Sequence, residues 1–290
     1  MEILSYLRCP ICHEELNLVD AFFEKGEIIS GYLGCEKNHK WLIREGIAIF
    51  NEKEQDGSNE WSILMKGKTP EEFDAWLEER NPRNLKALRN KVIAIVKDQI
   101  NEINPKFILD IATGRGSFAL NILDYLPENT HLICTDLSPT VLFSVQYKLK
   151  KRITKVKVSF VSCNAIKLPF KTNKIECITS YFGVTNMGGL VSNALKEIKR
   201  VLEPISYFFN CSLVVKQDSS SYKAMQKIYE SRDEPFPMDF LDNELFTNYH
   251  LEHGFTGEYI PAGESIGEKN ELDLIPVEGD WFEVGIFKGK

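Results

Sequence analysis

Apolar runs punctuated by acids and glycines predict most of the elements of this chain. Phe107-Ile-Leu-Asp110 is an apolar run ending at an acid, Thr113-Gly-Arg-Gly116 is a glycine-containing turn, and a helix-compatible segment follows. His131-Leu-Ile-Cys-Thr-Asp136 is a second apolar run, again ending at an acid. That order predicts a βαβ unit with a ligand lying across its carboxyl edge. Downstream, the pattern predicts a helix over 139–151, strands over 156–161 and 175–181, a helix over 190–202 and a strand over 206–215. Strands alternating with helices predict a parallel, doubly wound sheet. Polar helix-like stretches over 219–232 and 239–252 precede two closing strands, 255–260 and 281–287. Upstream, Thr69-Pro-Glu-Glu supplies an N-cap, a proline at N1 and early acids, so a helix starts there. Leu85, Leu88, Val92, Ile93, Val96 and Ile100 continue at helical spacing to the break at Asn104-Pro105, and the polar stretch 51–59 reads as a linker.

The turn carries the first chemical information. Gly114 and Gly116 remove side chains where backbone must approach a ligand, and the helix after them offers unpaired N–H groups. Asp136 stands 20 residues past Gly116 at a strand end, where a carboxylate can accept hydrogen bonds from both hydroxyls of a ribose. The spacing Gly114-x-Gly116-x-x-Ala119 also satisfies the relaxed dinucleotide fingerprint, which leaves NAD open. Asp110 separates the two readings, because an acid there repels a pyrophosphate and pairs with an α-ammonium group.

The 290 residues, 43% of them hydrophobic, suffice for one large α/β domain plus a small module. No apolar run reaches the roughly 20 residues of a membrane span, and the first eight residues lack the features of a signal peptide. The expectation is a cytoplasmic protein with no membrane partner. A net charge of −7 provides no general attraction for nucleic acid. Cys134, Cys163, Cys177 and Cys211 each sit in apolar, strand-like runs and read as buried small hydrophobes.

The other three cysteines differ. Cys9-Pro-Ile-Cys12 and Cys35-Glu-Lys-Asn-His39, with 22 residues between them, set four metal-compatible ligands in two tight turns, which suits Zn²⁺. Segments 27–33 and 41–50 predict two strands of a zinc ribbon, and His13 is a poorer alternative ligand beside Cys12. Four protein ligands fill the coordination shell, so the metal is structural, and about 50 residues build too little core to fold without it. The first 50 residues hold eight acids and five bases, so any RNA contact there is local.

The acid, three residues and Gly-x-Gly of Asp110 to Gly116, followed by Asp136, resemble class I S-adenosylmethionine-dependent methyltransferases. The resemblance implies an α/β fold: a doubly wound, mostly parallel Rossmann-like sheet with a C-terminal antiparallel strand, here with an N-terminal zinc ribbon. Its domains would be 1–50 for the ribbon, 51–105 for a linker and helices that cover the cofactor or merely pack on the sheet, and 106–290 for the methyltransferase. It also implies a cofactor set of Asp110, Ala112, Thr113, Gly114, Gly116, Asp136, Leu137, Asn164, Ala165 and Tyr181. Asn164-Ala165 stands where the family usually has Asp-Ala, Leu137 would lie against adenine, and Tyr181 or Phe182 near the sulfonium. Leu168-Pro-Phe with Phe182-Gly183 and Asn186 is most similar to the quinone-biosynthesis C-methyltransferases and the wider type 11 group, which implies a small-molecule acceptor. The order of ribbon then methyltransferase resembles bacterial ribosomal-RNA guanine-N1 methyltransferases, which implies an RNA base. The six bases of 148–157 read either as a phosphate contact or as a solvated helix end. The family's Leu-Lys-Pro-Gly-Gly turn is replaced by Leu202-Glu-Pro-Ile205, and a cofactor-binding scaffold stays open as a third class. No general base is named; His250 and His253 lie late enough in the chain to approach an acceptor, and His131 does not.

Overall fold

The computed structural model describes residues 2–51, 60–80, 83–230, 236–269 and 276–290. The predicted linker at 51–59 falls almost wholly outside these residues. Four N-terminal strands come first: β1 (Asn17–Glu24), β2 (Glu27–Gly34), β3 (Lys40–Arg44) and β4 (Ile47–Ile49). Three helices follow, α1 (Glu60–Met65), α2 (Pro70–Arg80) and α3 (Arg83–Ile103). The doubly wound part then runs β5 (Phe107–Asp110), α4 (Ala119–Ile122), β6 (His131–Asp136), α5 (Pro139–Lys150), β7 (Lys157–Ser162), β8 (Ile175–Tyr181), α6 (Val191–Val201) and β9 (Leu202–Val215). It closes with α7 (Ser220–Glu230), α8 (Leu245–Glu252), β10 (Gly257–Ile266) and β11 (Trp281–Gly289).

All of these strands join one sheet in the order β1-β2-β3-β4-β7-β6-β5-β8-β9-β11-β10. The run from β4 to β9 is parallel, and β11 enters antiparallel between β9 and β10, as the expected closing hairpin requires. Every residue of β6 is buried, the near-continuous apolar run of a strand covered on both faces. The N-terminal strands continue this same sheet: Ile47, Ala48 and Ile49, all buried, pair in parallel with Phe160, Val161 and Ser162. Among the described residues no helix is long and apolar enough to cross a membrane.

Four local expectations change. The strand read over 41–50 is a hairpin, because Glu45 and Gly46 both take positive φ (50° and 81°) and turn the chain back on itself. Strand β1 carries no alternating pattern because it is an edge strand, with Phe22 and Phe23 60% and 53% exposed. The helix after the glycine turn is only the four residues of α4, followed by a 3-10 turn over Leu123–Tyr125. Finally, α6 passes straight into β9 at Leu202, so the loss of the family's glycines replaces a loop with strand.

Helices α1 and α2 dock on α5 through an apolar cluster of Met65, Phe73, Leu77 and Val141, flanked by Trp61 and Trp76. The Thr69 hydroxyl accepts from the Glu72 N–H at 3.2 Å while Glu72 accepts from the Thr69 N–H at 2.8 Å, a capping box that starts α2 where the sequence places it. Lys148 of α5 then donates to both oxygens of Asp74 at 3.0 Å, fastening α2 to the βαβ half.

Candidate functional site

The carboxyl ends of β5, β6, β7 and β8 open into a cavity of about 700 Å³ roofed by Trp61, Leu77, Leu85 and Arg89 from the preceding helices. Those helices cover the cavity instead of merely packing on the sheet. Asp136 ends β6 on its wall. One carboxylate oxygen accepts from the Gly114 N–H at 2.9 Å and the other from the Ser138 N–H at 3.0 Å. Each oxygen keeps a lone pair, enough for two ribose hydroxyls. Burial pushes its pKa up against the lowering effect of those N–H groups.

Asp110 stands behind the turn and not on the cavity wall. It is 2% exposed, and its carboxylate accepts from the hydroxyls of Thr113 and Thr179, both at 2.8 Å. It ties the turn to β8 from outside the cavity lining, whereas the sequence assigned it to an ammonium group in the site. Burial raises its pKa to about 6 despite these donors. The folded chain therefore holds this proton more tightly than the unfolded chain, and stability falls as pH rises from about 4 to about 6. Asp110→Asn lacks this titration. Over that pH range the wild type should lose up to about 3 kcal/mol relative to the variant, read from urea midpoints. Midpoint differences that do not change with pH would contradict it.

Backbone geometry shapes the rest of the turn. Ala112, Gly114 and Gly116 all take positive φ (52°, 54° and 80°), and the Thr113 N–H donates to the Thr135 carbonyl at 2.7 Å. At the far end, Leu137, Asn164, Ala165 and Ile166 line the cavity. The Asn164 side-chain carbonyl accepts from the Ile166 N–H at 3.1 Å and retains a second lone pair. The tip of β8 supplies Tyr181, whose ring stacks on Phe118 at 5.8 Å, and Phe182 in left-handed conformation (φ 59°). Gly183 follows because space forbids anything larger: a Cβ there would lie 2.6 Å from the Ile111 carbonyl and 2.8 Å from the Ala112 Cβ. Gly183→Ala should thus force the cofactor turn away from β8, costing about 1–3 kcal/mol and lowering the melting temperature by several degrees. An unchanged melting curve would show that the loop has room.

Of the two carboxylates among the described lining residues, Glu78 is held by Lys86 and Asp136 by the Gly114 and Ser138 N–H groups. Burial raises the pKa of Tyr181 and of Cys163, so both stay protonated near neutral pH. His250 is fully buried among aromatic rings, with its Nδ1 at 2.7 Å from the Phe246 carbonyl and its Nε2 at 3.0 Å from Asn210. Burial pushes its pKa down to about 3. His253 is engaged by Ser192 and the Tyr249 carbonyl, and His131 by Ser159. None of the three lines the cavity. Four of the six bases in the basic run are ion-paired within the chain: Lys148 to Asp74, Lys151 to Glu71, Arg152 to Asp124 and Lys155 to Glu128.

Sequence reasoning offered covering helices as one of two readings but named none of their residues as lining the cavity. Trp61, Glu78, Lys86 and Arg89 come from helices outside the βαβ unit, and nothing in their spacing distinguishes a roof from a packed face.

A second site lies at the N-terminus. Cys9, Cys12, Cys35 and His39 bring their ligand atoms within 4.8 Å of one another. Cys12 Sγ lies 3.5 Å from Cys35 Sγ, and His39 Nδ1 lies 3.5 and 3.4 Å from the sulfurs of Cys9 and Cys35. Tetrahedral Zn–S bonds of about 2.3 Å set sulfurs about 3.8 Å apart, so the donor set fits a zinc ion. At Cys9 burial raises the thiol pKa, but N–H groups of Cys12 and Ile11 more than offset it, bringing it down to about 7. Backbone donors aimed at the sulfur favour a thiolate, the form that binds metal. His13, whose backbone is left-handed (φ 65°), is not in the cluster.

Comparison with known proteins fits this geometry. The ubiE/COQ5 methyltransferase family matches residues 86–239, more than half of the chain. The ubiquinone/menaquinone biosynthesis C-methyltransferase UbiE of Nitrosospira multiformis is 32% identical over 123 residues, which are 42% of this chain and 47% of that protein. Its counterpart in Rickettsia prowazekii is 31% identical over 134 residues, 45% of this chain and 53% of that one. The chain thus spans about half the length of the curated relatives it matches, and its first 85 residues lie outside the family match. Among solved structures, the YcgJ protein of Bacillus subtilis aligns with 68% of this chain and 97% of its own at 13% identity, with a TM-score of 0.49. From residue 86 through Met238 and Asp239, across the glycine turn, Asp136 and the tip of β8, this chain belongs to the ubiE/COQ5 methyltransferase family.

Proposed function

We propose that this protein transfers a methyl group from S-adenosylmethionine to a small, largely apolar acceptor, at a carbon of an electron-rich ring, and that its N-terminal cluster holds a structural zinc ion. The cavity itself carries this reading. One trough presents Asn164 and Ile166 for an adenine, Asp136 for a ribose and the glycine turn for an amino-acid tail. Part of its remaining wall, at Leu85, Met187, Leu190 and Leu213, is apolar. The activity named for the relatives, C-methylation in ubiquinone and menaquinone biosynthesis, supports a carbon as the acceptor atom.

The cofactor supplies an electrophilic methyl on a sulfonium. The chain aligns the acceptor against the methyl, and the proton lost from the ring carbon passes to water, the two lining carboxylates being engaged by Lys86 and by backbone N–H groups. A nucleophile already activated by ring hydroxyls needs little more. At the other site Cys9, Cys12 and Cys35 as thiolates and His39 through Nδ1 would fill a tetrahedral shell, leaving no open position for catalysis.

Incubating the protein with methyl-labelled S-adenosylmethionine and either a small-molecule extract or total RNA tests the reading. Label is expected in the organic-soluble small molecules. Label in RNA, or cofactor binding with no transfer to either fraction, would overturn the acceptor assignment.

A further inference from the structure

Charges do not balance where the cavity meets the glycine turn. Arg89 of α3 and Arg115 of the turn both line the main cavity and also face an adjoining recess of about 320 Å³, which Lys148 and Asp74 share. Asp74 is largely taken, because Lys148 donates to both of its oxygens at 3.0 Å. Arg115 reaches the same carboxylate only at 3.8 Å, although its side chain is just 16% exposed. Glu78 of the cavity lining is held by Lys86, and Glu71 of the recess by Lys151. Among the described residues, Arg89 Nε is buried with no hydrogen-bond partner. Burial and the neighbouring Arg89 push the Arg115 pKa down, with Asp74 and Glu78 only partly opposing them. Arg89 from α3 and Arg115 from the turn thus bring two planar guanidiniums, weakly matched by anions, to the same end of the cavity, which suits a carboxylate.

Position selects the source of that carboxylate. From Asn164 past Asp136 to Gly114, the trough leads to Arg115 and Ser117, the end that the tail of an adenosyl amino acid would reach. The acceptor's side of the cavity is apolar at Met187, Leu190 and Leu213. Resting on the cofactor reading above, we infer that Arg89 and Arg115 clamp the α-carboxylate of S-adenosylmethionine, drawing α3 onto the glycine turn. The tail is thus read by guanidiniums from both sides of the trough, while Asp110 stays behind the turn as its anchor.

The probes are S-adenosylmethionine and its decarboxylated form, which differ only in the group the arginines are assigned. Calorimetric titration of the full chain should show the wild type preferring the carboxylated form by roughly 10- to 100-fold, as charge-assisted hydrogen bonds imply. Arg89→Ala should erase most of that preference, Arg89→Lys should keep part of it, and Arg115→Gln should act in the same direction; melting curves confirm that each variant is folded. A preference unchanged in both Arg89→Ala and Arg115→Gln overturns the clamp. Equal affinity of the wild type for the two forms also overturns it and turns the pair toward an acidic acceptor, with the cofactor reading intact. Binding of neither form removes the cofactor reading and the clamp with it.

Discussion

Removing the metal from Cys9, Cys12, Cys35 and His39 is expected to loosen the adenine end of the cavity as well as the N-terminal strands. The knuckle is hydrogen-bonded to the loop that follows Asn164-Ala165: the Arg8 N–H donates to the Pro169 carbonyl at 3.0 Å and the Lys171 N–H to the Tyr6 carbonyl at 2.8 Å. Leu7 also pairs with Phe170 across an isolated antiparallel bridge. A second connection runs through β4. The Phe50 N–H donates to the Ser162 carbonyl at 2.8 Å, and Asn51 donates to the carbonyl of Leu137, the residue next to Asp136. Structural zinc supplies folding free energy directly, and each kcal/mol lost moves the melting temperature of a domain this large by about 2–4 °C. Chelation, or Cys35→Ser, should therefore lower the melting temperature by at least several degrees and weaken S-adenosylmethionine binding by roughly tenfold or more. Elemental analysis should find one zinc per chain before chelation. A protein stripped of zinc that keeps both its melting temperature and its cofactor affinity would refute the coupling.

Asp136→Ala should have the other large effect. The substitution removes the acceptor for two ribose hydroxyls, each charge-assisted hydrogen bond contributing about 1.5–3 kcal/mol. It also leaves the Gly114 and Ser138 N–H groups without partners, so the turn itself loses its support. Cofactor affinity should drop by at least about 100-fold. Asp136→Asn preserves one carbonyl acceptor and should lose less, on the order of tenfold. Calorimetry gives the affinities, and circular dichroism separates loss of contact from loss of fold. Affinity within about threefold of wild type in Asp136→Ala would mean that the ribose lies elsewhere.

Much of this was legible because it depends on local chemistry. Apolar runs ending in acids fixed β5 and β6, and the two paired spacings around Cys9 and Cys35 fixed a cluster that only a folded knuckle could assemble. What stayed hidden depends on the far side of the chain. Asp110 reads as a ligand contact until Thr179, 69 residues away, takes one of its oxygens. The basic run over 148–157 reads either as a phosphate contact or as a solvated helix end until four of its six bases are seen paired with Asp74, Glu71, Asp124 and Glu128. His250 reads as a candidate near the acceptor until Phe240, Phe246 and Phe287 enclose it. Arg89 gave no signal at all, because a cation on an amphipathic helix looks the same whether it faces water or a cavity.

The glycine spacing alone admits a dinucleotide, so the most direct measurement is a calorimetric titration of the full chain with S-adenosylmethionine and, separately, with NAD. Saturable binding of one S-adenosylmethionine per chain, undisturbed by excess NAD, is the predicted result. Tighter binding of NAD, or no binding of S-adenosylmethionine, would contradict the account.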